Sequence, residues 1–150
     1  MKTIIFSAIP ENGIIEIPLL TECKCKIGLV SLSIPNINRS KYNTKFQEID
    51  ILCDQVDSTY LNPKRLLRRI CTEKNEQFYN HFEFKSIVYF NLDSADRKLT
   101  IRIKDQFGPI WIPQYHSKEA NPQHVTIVLN LQPIGERPMD KVYIKCNFDF

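Results

Sequence analysis

Along Leu99-Thr100-Ile101-Arg102-Ile103-Lys104, apolar and polar residues alternate one by one, and this two-residue period recurs through most of the chain. Strands place successive side chains on opposite faces, so strict alternation specifies half-buried strands and argues against helices, which repeat every 3.6 residues. Val125, Ile127, Leu129 and Leu131 repeat the pattern. Near the end, Val142, Ile144, Cys146, Phe148 and Phe150 alternate with Tyr143, Lys145, Asn147 and Asp149. Composition points the same way. Three alanines stand against twenty isoleucines, nine phenylalanines and six tyrosines, so the best helix former is scarce and the residues that suit a pleated surface dominate.

The same reading places strands at Thr3–Ala8 and Ile14–Leu19, separated by a turn at Glu11-Asn12-Gly13. Lys24–Ile34 changes its apolar face midway, around Gly28, which predicts a bulge or a strand covered on both sides. Glu48–Val56 resumes the alternation after a polar stretch, and Phe82–Phe90 is aromatic and β-branched. Asn62–Cys71 leaves two readings open. Asn62 and Pro63 suit a helix start, with Leu66, Leu67 and Ile70 on one helical face, yet a strand entered from a proline turn fits as well and is slightly preferred. The expectation is an all-β single domain over residues 1–150: a jelly roll or antiparallel β-sandwich of roughly eight to ten strands.

Several function classes lack their residues. The four glycines, Gly13, Gly28, Gly108 and Gly135, are too dispersed to cradle a phosphate. Neither a G-x-S-x-G elbow nor an H-E-x-x-H helix is present. Three histidines, His81, His116 and His124, offer little acid–base material at neutral pH, so no catalytic residue and no cofactor is expected. Net charge is +3, below what a dedicated nucleic-acid binder carries. Five cysteines with no C-x-x-C pair suggest a reducing compartment and thiols packed as small hydrophobes rather than a metal site. The apolar start, Thr3–Ala8, is shorter than an ordinary signal sequence, and no run of 18 apolar residues predicts a membrane span.

What remains as candidate site material is a basic group, Lys64, Arg65, Arg68 and Arg69, and the lone Trp111 in Gly108-Pro109-Ile110-Trp111-Ile112-Pro113. Four cations within six residues suit phosphate or a protein partner. With no aromatics interleaved and Asp54, Asp57, Glu73 and Glu76 nearby to neutralise them, they also suit a solvated edge. Trp111 reads as a core plug or an interface anchor.

Three stretches in order resemble the small jelly-roll minor capsid, or penton-like, proteins of Polinton/Maverick-type elements and related viruses. Ile14–Leu20 with Cys25–Pro35 is similar to that family's apolar strand followed by V-G-L-x-x-I-x-x-P. Ile51-Leu52-Cys53-Asp54-Gln55-Val56, then Leu66–Ile70, resembles Y-C-D-x-V and L-L-R-x-V. Leu99–Ile110 resembles I-x-I-x-I-x-D-x-x-G-x-x-I, and Val125–Leu131 follows at the expected distance. The short connection before Asp50 and the strand pattern at 141–150 depart from the family. The resemblance implies a non-enzymatic capsid protein located in the virion and made in the host cytoplasm or nucleus. Its partners would be copies of itself in a cyclic oligomer, a pentamer being one form, and other capsid proteins. The alternative is a nucleic-acid-binding or other interaction module, including a viral gene captured by a host, that uses Lys64–Arg69.

Overall fold

The computed structural model describes residues 2–19, 24–35, 46–73, 79–92, 97–110 and 124–134. Ten strands are formed: β1 (Lys2–Ala8), β2 (Ile14–Pro18), β3 (Cys25–Pro35), β4 (Phe46–Cys53), β5 (Leu66–Glu73), β6 (Tyr79–Glu83), β7 (Tyr89–Asn91), β8 (Lys98–Asp105), β9 (Gly108–Pro109) and β10 (Val125–Pro133). Among the described residues there is no helix, and hence none long and apolar enough to cross a membrane.

All pairings are antiparallel and fall into two sheets. One has the order β1-β10-β3-β6, with β7 also on β3; the other has the order β2-β8-β4-β5, with β9 on β8. The chain changes sheet at β1 to β2, β2 to β3, β3 to β4, β5 to β6, β7 to β8 and β9 to β10. This alternation of sheets is a jelly roll, two Greek keys folded face to face. The expected β-sandwich is the observed fold.

The period-two pattern sorts side chains as predicted. Leu99, Ile101 and Ile103 of β8 and Val125, Ile127, Leu129 and Leu131 of β10 are all buried between the sheets. At about 25 cal/mol per Å² of apolar surface removed from water, this aliphatic layer is the main force holding the sheets together.

Two bulges change the reading of the middle of the chain. Val128 and Leu129 oppose Ser31 and Leu29, so Val30 is an extra residue in β3. The inward set Cys25, Ile27 and Leu29 therefore hands over to Leu32 and Ile34. The face switch predicted around Gly28 is real, but the extra residue is Val30. Gly28 serves close approach: an added Cβ would lie 2.6 Å from Ile87 Cγ2 and 2.9 Å from the Tyr89 ring. In β5, Ile51 and Leu52 oppose Arg68 and Leu66, which makes Leu67 the extra residue.

Three boundaries move. Glu48–Val56 ends as a strand at Cys53 and continues as a turn. The run Phe82–Phe90 is not one strand: β6 pairs with Ser31–Pro35 and β7 with Lys26–Gly28, on either side of the bulge. Of the two readings of residues 62–71, strand is observed from Leu66 onward.

Candidate functional site

The connection from β4 to β5, residues 54–65, brings the basic segment to one end of the sandwich, and its root is anchored before its tip is built. Buried Gln55 accepts from the Thr100 amide through Oε1 (2.6 Å) and donates to the Thr100 hydroxyl through Nε2 (3.2 Å). Val56 is buried and bridged to Leu92, and the Asp57 amide donates to the Asn91 carbonyl (2.9 Å).

Beyond the root the loop closes on itself. The Asn62 amide donates to the Thr59 carbonyl (3.1 Å), and the Ser58 hydroxyl donates to the Pro63 carbonyl (3.1 Å). The Asn62 side chain uses both of its ends on one backbone unit. Nδ2 donates to the Leu66 carbonyl (3.1 Å) and Oδ1 accepts from the Leu66 amide (2.9 Å). Such side-chain bonds to nearby backbone are what make Asn a turn residue. Held at the apex, Tyr60 and Leu61 are 97% and 91% exposed. A bonded loop thus keeps two large side chains in water side by side, unlike the apolar residues exposed singly at Ile5, Phe46 and Val88.

The four cations part company. Lys64 is exposed beside the apex. Arg65 occupies the left-handed region (φ 59°), donates from Nε to the Val56 carbonyl (3.0 Å), and accepts the Cys53 amide at its own carbonyl (3.0 Å). Arg68 and Arg69 are adjacent strand residues and so point to opposite faces. Arg68 lies over the Phe84 ring, 4.4 Å from guanidinium carbon to centroid, and donates to the Ser86 carbonyl (2.9 Å). Arg69 makes a forked pair with the Asp50 carboxylate at 2.7 and 3.0 Å.

That pair holds the Asp50 carboxyl below its ordinary pKa, first through the Arg69 hydrogen bond, with Coulomb attraction from Arg69, Lys104 and Lys64 adding to it and partial burial opposing. Asp54, expected to neutralise the basic segment, instead pairs with Arg102 at 2.8 and 2.9 Å. The segment is therefore not one patch. Lys64 and Lys104 flank a neutralised Asp50–Arg69 pair on the outer face, while Arg65 and Arg68 are engaged elsewhere. Trp111 and His116 lie outside the described residues.

A second arrangement escaped sequence reasoning. On the outer face of the β1-β10-β3-β6 sheet, the Ser33 hydroxyl bonds His81 Nδ1 and His81 Nε2 bonds Glu83 Oε1 (3.2 Å). His81 and Glu83 share a strand face by their i, i+2 spacing, but only the register that sets Ser33 opposite His81 brings in the serine. The order serine–histidine–carboxylate is that of a hydrolase relay. Yet the side chains of His81 and Glu83 are 53% and 80% exposed, and catalysis of that kind needs amide donors aimed at the developing oxyanion in a water-excluding site. As built, this is a surface hydrogen-bond chain. His124 uses its carbonyl to accept the Tyr79 hydroxyl (3.1 Å).

Across the outside of the other sheet, Gly13, Ile14, Leu52, Pro109, Arg102 and Lys104 line an open, mainly apolar depression of about 230 Å³. It contains none of Lys64, Arg65, Arg68 and Arg69, the candidate cations of the sequence. Cys25 and Cys53 are buried, and burial pushes each thiol up to about 11; Cys71 is exposed. Cys23 and Cys146 lie outside the described residues.

Comparison with known protein families, curated proteins and solved structures gives no match.

Proposed function

We propose that this chain is a non-enzymatic structural subunit of a virion shell, of the minor capsid or vertex type, working through its surface with copies of itself and with other shell proteins. The observation that carries the reading is the jelly-roll strand order together with a bonded end loop that holds Tyr60 and Leu61 in water. A shell subunit needs a rigid body and pre-shaped contact residues, and large aromatic and aliphatic anchors supply most of the energy in protein interfaces. The ordered resemblance of Ile14–Leu131 to penton-like proteins supports the same reading, as does a surface on which Asp50–Arg69 and Asp54–Arg102 neutralise their own charges.

Sedimentation of the purified chain at micromolar concentration tests this. A cyclic oligomer that Tyr60→Ala with Leu61→Asp dissociates, at unchanged melting temperature, supports it. A strict monomer that also ignores shell proteins from the same source overturns it. The alternative, nucleic-acid binding through Lys64–Arg69, is weakened because three of its four cations already have partners. That reading predicts an affinity for DNA or RNA that falls steeply with salt.

A further inference from the structure

We propose that the apex of the 54–65 loop in one copy, Tyr60 with Leu61, docks into the depression on the outside of the β2-β8-β4 sheet of a second copy. This contact deepens the reading of the chain as a self-assembling subunit and rests on it.

Strand register builds the depression. Ile14 and Leu52 both stand opposite Arg102, so the three residues form one row across β2, β8 and β4. Their strand neighbours Ile15, Ile51, Cys53, Ile101 and Ile103 are buried between the sheets, which turns the row outward. The solvated face of an antiparallel sheet is ordinarily polar. Here Ile14 and Leu52 are only half-buried, and Pro109 is exposed beside them. Apolar side chains gathered in a hollow of such a face mark a contact site, as singly scattered ones do not.

Size and charge select the occupant. The volume of about 230 Å³ lies below the roughly 300–1,000 Å³ of sites that enclose small molecules. An open hollow of that size takes one or two side chains of a partner. Arg102 and Lys104 stand in its wall. The fork from Arg102 to Asp54 uses one edge of the guanidinium and leaves its flat faces to stack. Cations above an apolar floor fit the electron-rich face of an aromatic ring. Among the described residues the most exposed aromatic is Tyr60, and at 97% exposure it fills no site in its own chain. Leu61 beside it suits the floor of Ile14, Leu52 and Pro109. The same loop exposes Asp57, opposite in sign to Lys104.

The contact can repeat. Apex and depression are different surfaces of one chain, so a docked pair keeps one of each free, and continued docking closes a ring. A tyrosine buries about 150–250 Å², about a quarter of the roughly 800 Å² each partner gives to a stable interface. Ser58, Thr59, Pro63 and Lys64, all exposed around the apex, supply its polar rim.

The experiment sets variants of the depression against a variant of the apex. Leu52→Trp fills the hollow and Ile14→Lys adds a third cation to it; Tyr60→Ala with Leu61→Asp removes the apex. Melting temperatures establish which variants are folded, and either depression variant suffices. Sedimentation is run on each protein alone and on equimolar mixtures. The expected result is an oligomer for the native chain and a monomer for each variant, with association weakened about thirtyfold or more. Mixing the apex variant with a depression variant should then give a one-to-one dimer and nothing larger, because one intact apex meets one intact depression. An oligomer of native size in a folded depression variant overturns the docking site while leaving the shell-subunit reading intact. Mixtures that stay monomeric also overturn it, since apex and depression would then serve separate contacts. A native chain that is itself monomeric overturns contact between copies, and the shell-subunit reading then depends on binding to other shell proteins.

Discussion

Arg68 reaches from β5 in one sheet to lie over the ring of Phe84, just past β6 in the other, closing the sandwich along the flank where these strands form the edges. Its carbon chain covers apolar surface and its guanidinium is fixed by the Ser86 carbonyl. Arg68→Ala is expected to cost about 1 kcal/mol in urea unfolding, and a double-mutant cycle with Phe84→Leu to give a coupling of roughly 0.5–1 kcal/mol. Arg68→Lys should recover only part of this, because an ammonium lacks the flat stacking surface. Additive single and double variants would remove the contact from the account of stability.

Two glycines should answer alanine differently. Gly13 has φ 74° and a Cβ there would meet the Ile103 carbonyl oxygen at 2.5 Å, which is backbone and cannot turn aside. Gly13→Ala is expected to cost about 2 kcal/mol or more. At Gly28 the obstacles are the Ile87 and Tyr89 side chains, which can shift, so Gly28→Ala should cost about 1 kcal/mol. Thermal unfolding of the two variants ranks them, and the reverse order would contradict this geometry.

Acid should act on the Asp50–Arg69 pair in a defined window. The folded-state pKa of Asp50 lies below its unfolded value near 3.9, so the pair contributes stability above that pH and loses it as pH falls through the lower folded value. The urea midpoint of the native chain should drop more steeply below about pH 4 than that of Asp50→Asn. Raising salt should shrink the difference, since Arg69 stands in solvent. Parallel pH profiles would show that the pair adds nothing.

Alkylation should separate the cysteines. At pH 8 the native protein is expected to be modified at Cys71 and spared at Cys25 and Cys53, whose thiols are buried and held protonated. Peptide mapping by mass spectrometry reads this directly. Equal labelling of Cys53 and Cys71 would mean that the sheets open on the labelling time scale.

How far the fold could be read in advance depended on whether a strand was regular. β8 and β10 alternate without interruption, and their buried residues are those the pattern names. The undecided run at 62–71 was undecided for a physical reason. The Leu67 bulge puts Leu67 and Ile70 on the core side together, and a spacing of three imitates a helical face. The Val30 bulge likewise divides the partners of β3, so an aromatic run read as one strand is two. The site was less legible. Ser33 with His81, Arg68 with Phe84 and Arg69 with Asp50 meet through register across strands 16 to 48 residues apart, which no local pattern encodes. The loop apex at Tyr60 and Leu61 was not legible because the bonds that hold it, from Asn62 to Leu66 and from Ser58 to Pro63, leave no periodic pattern in the sequence.

Asn62 holds the loop shut from both ends of its amide, and that fixes when the cost of ordering is met. Folding has already spent the entropy, so a neighbour of the proposed kind would find a finished surface at this end and need not organise one. Under the proposed shell-subunit role, softening that asparagine would slow and weaken recognition while leaving Tyr60 and Leu61 in the chain.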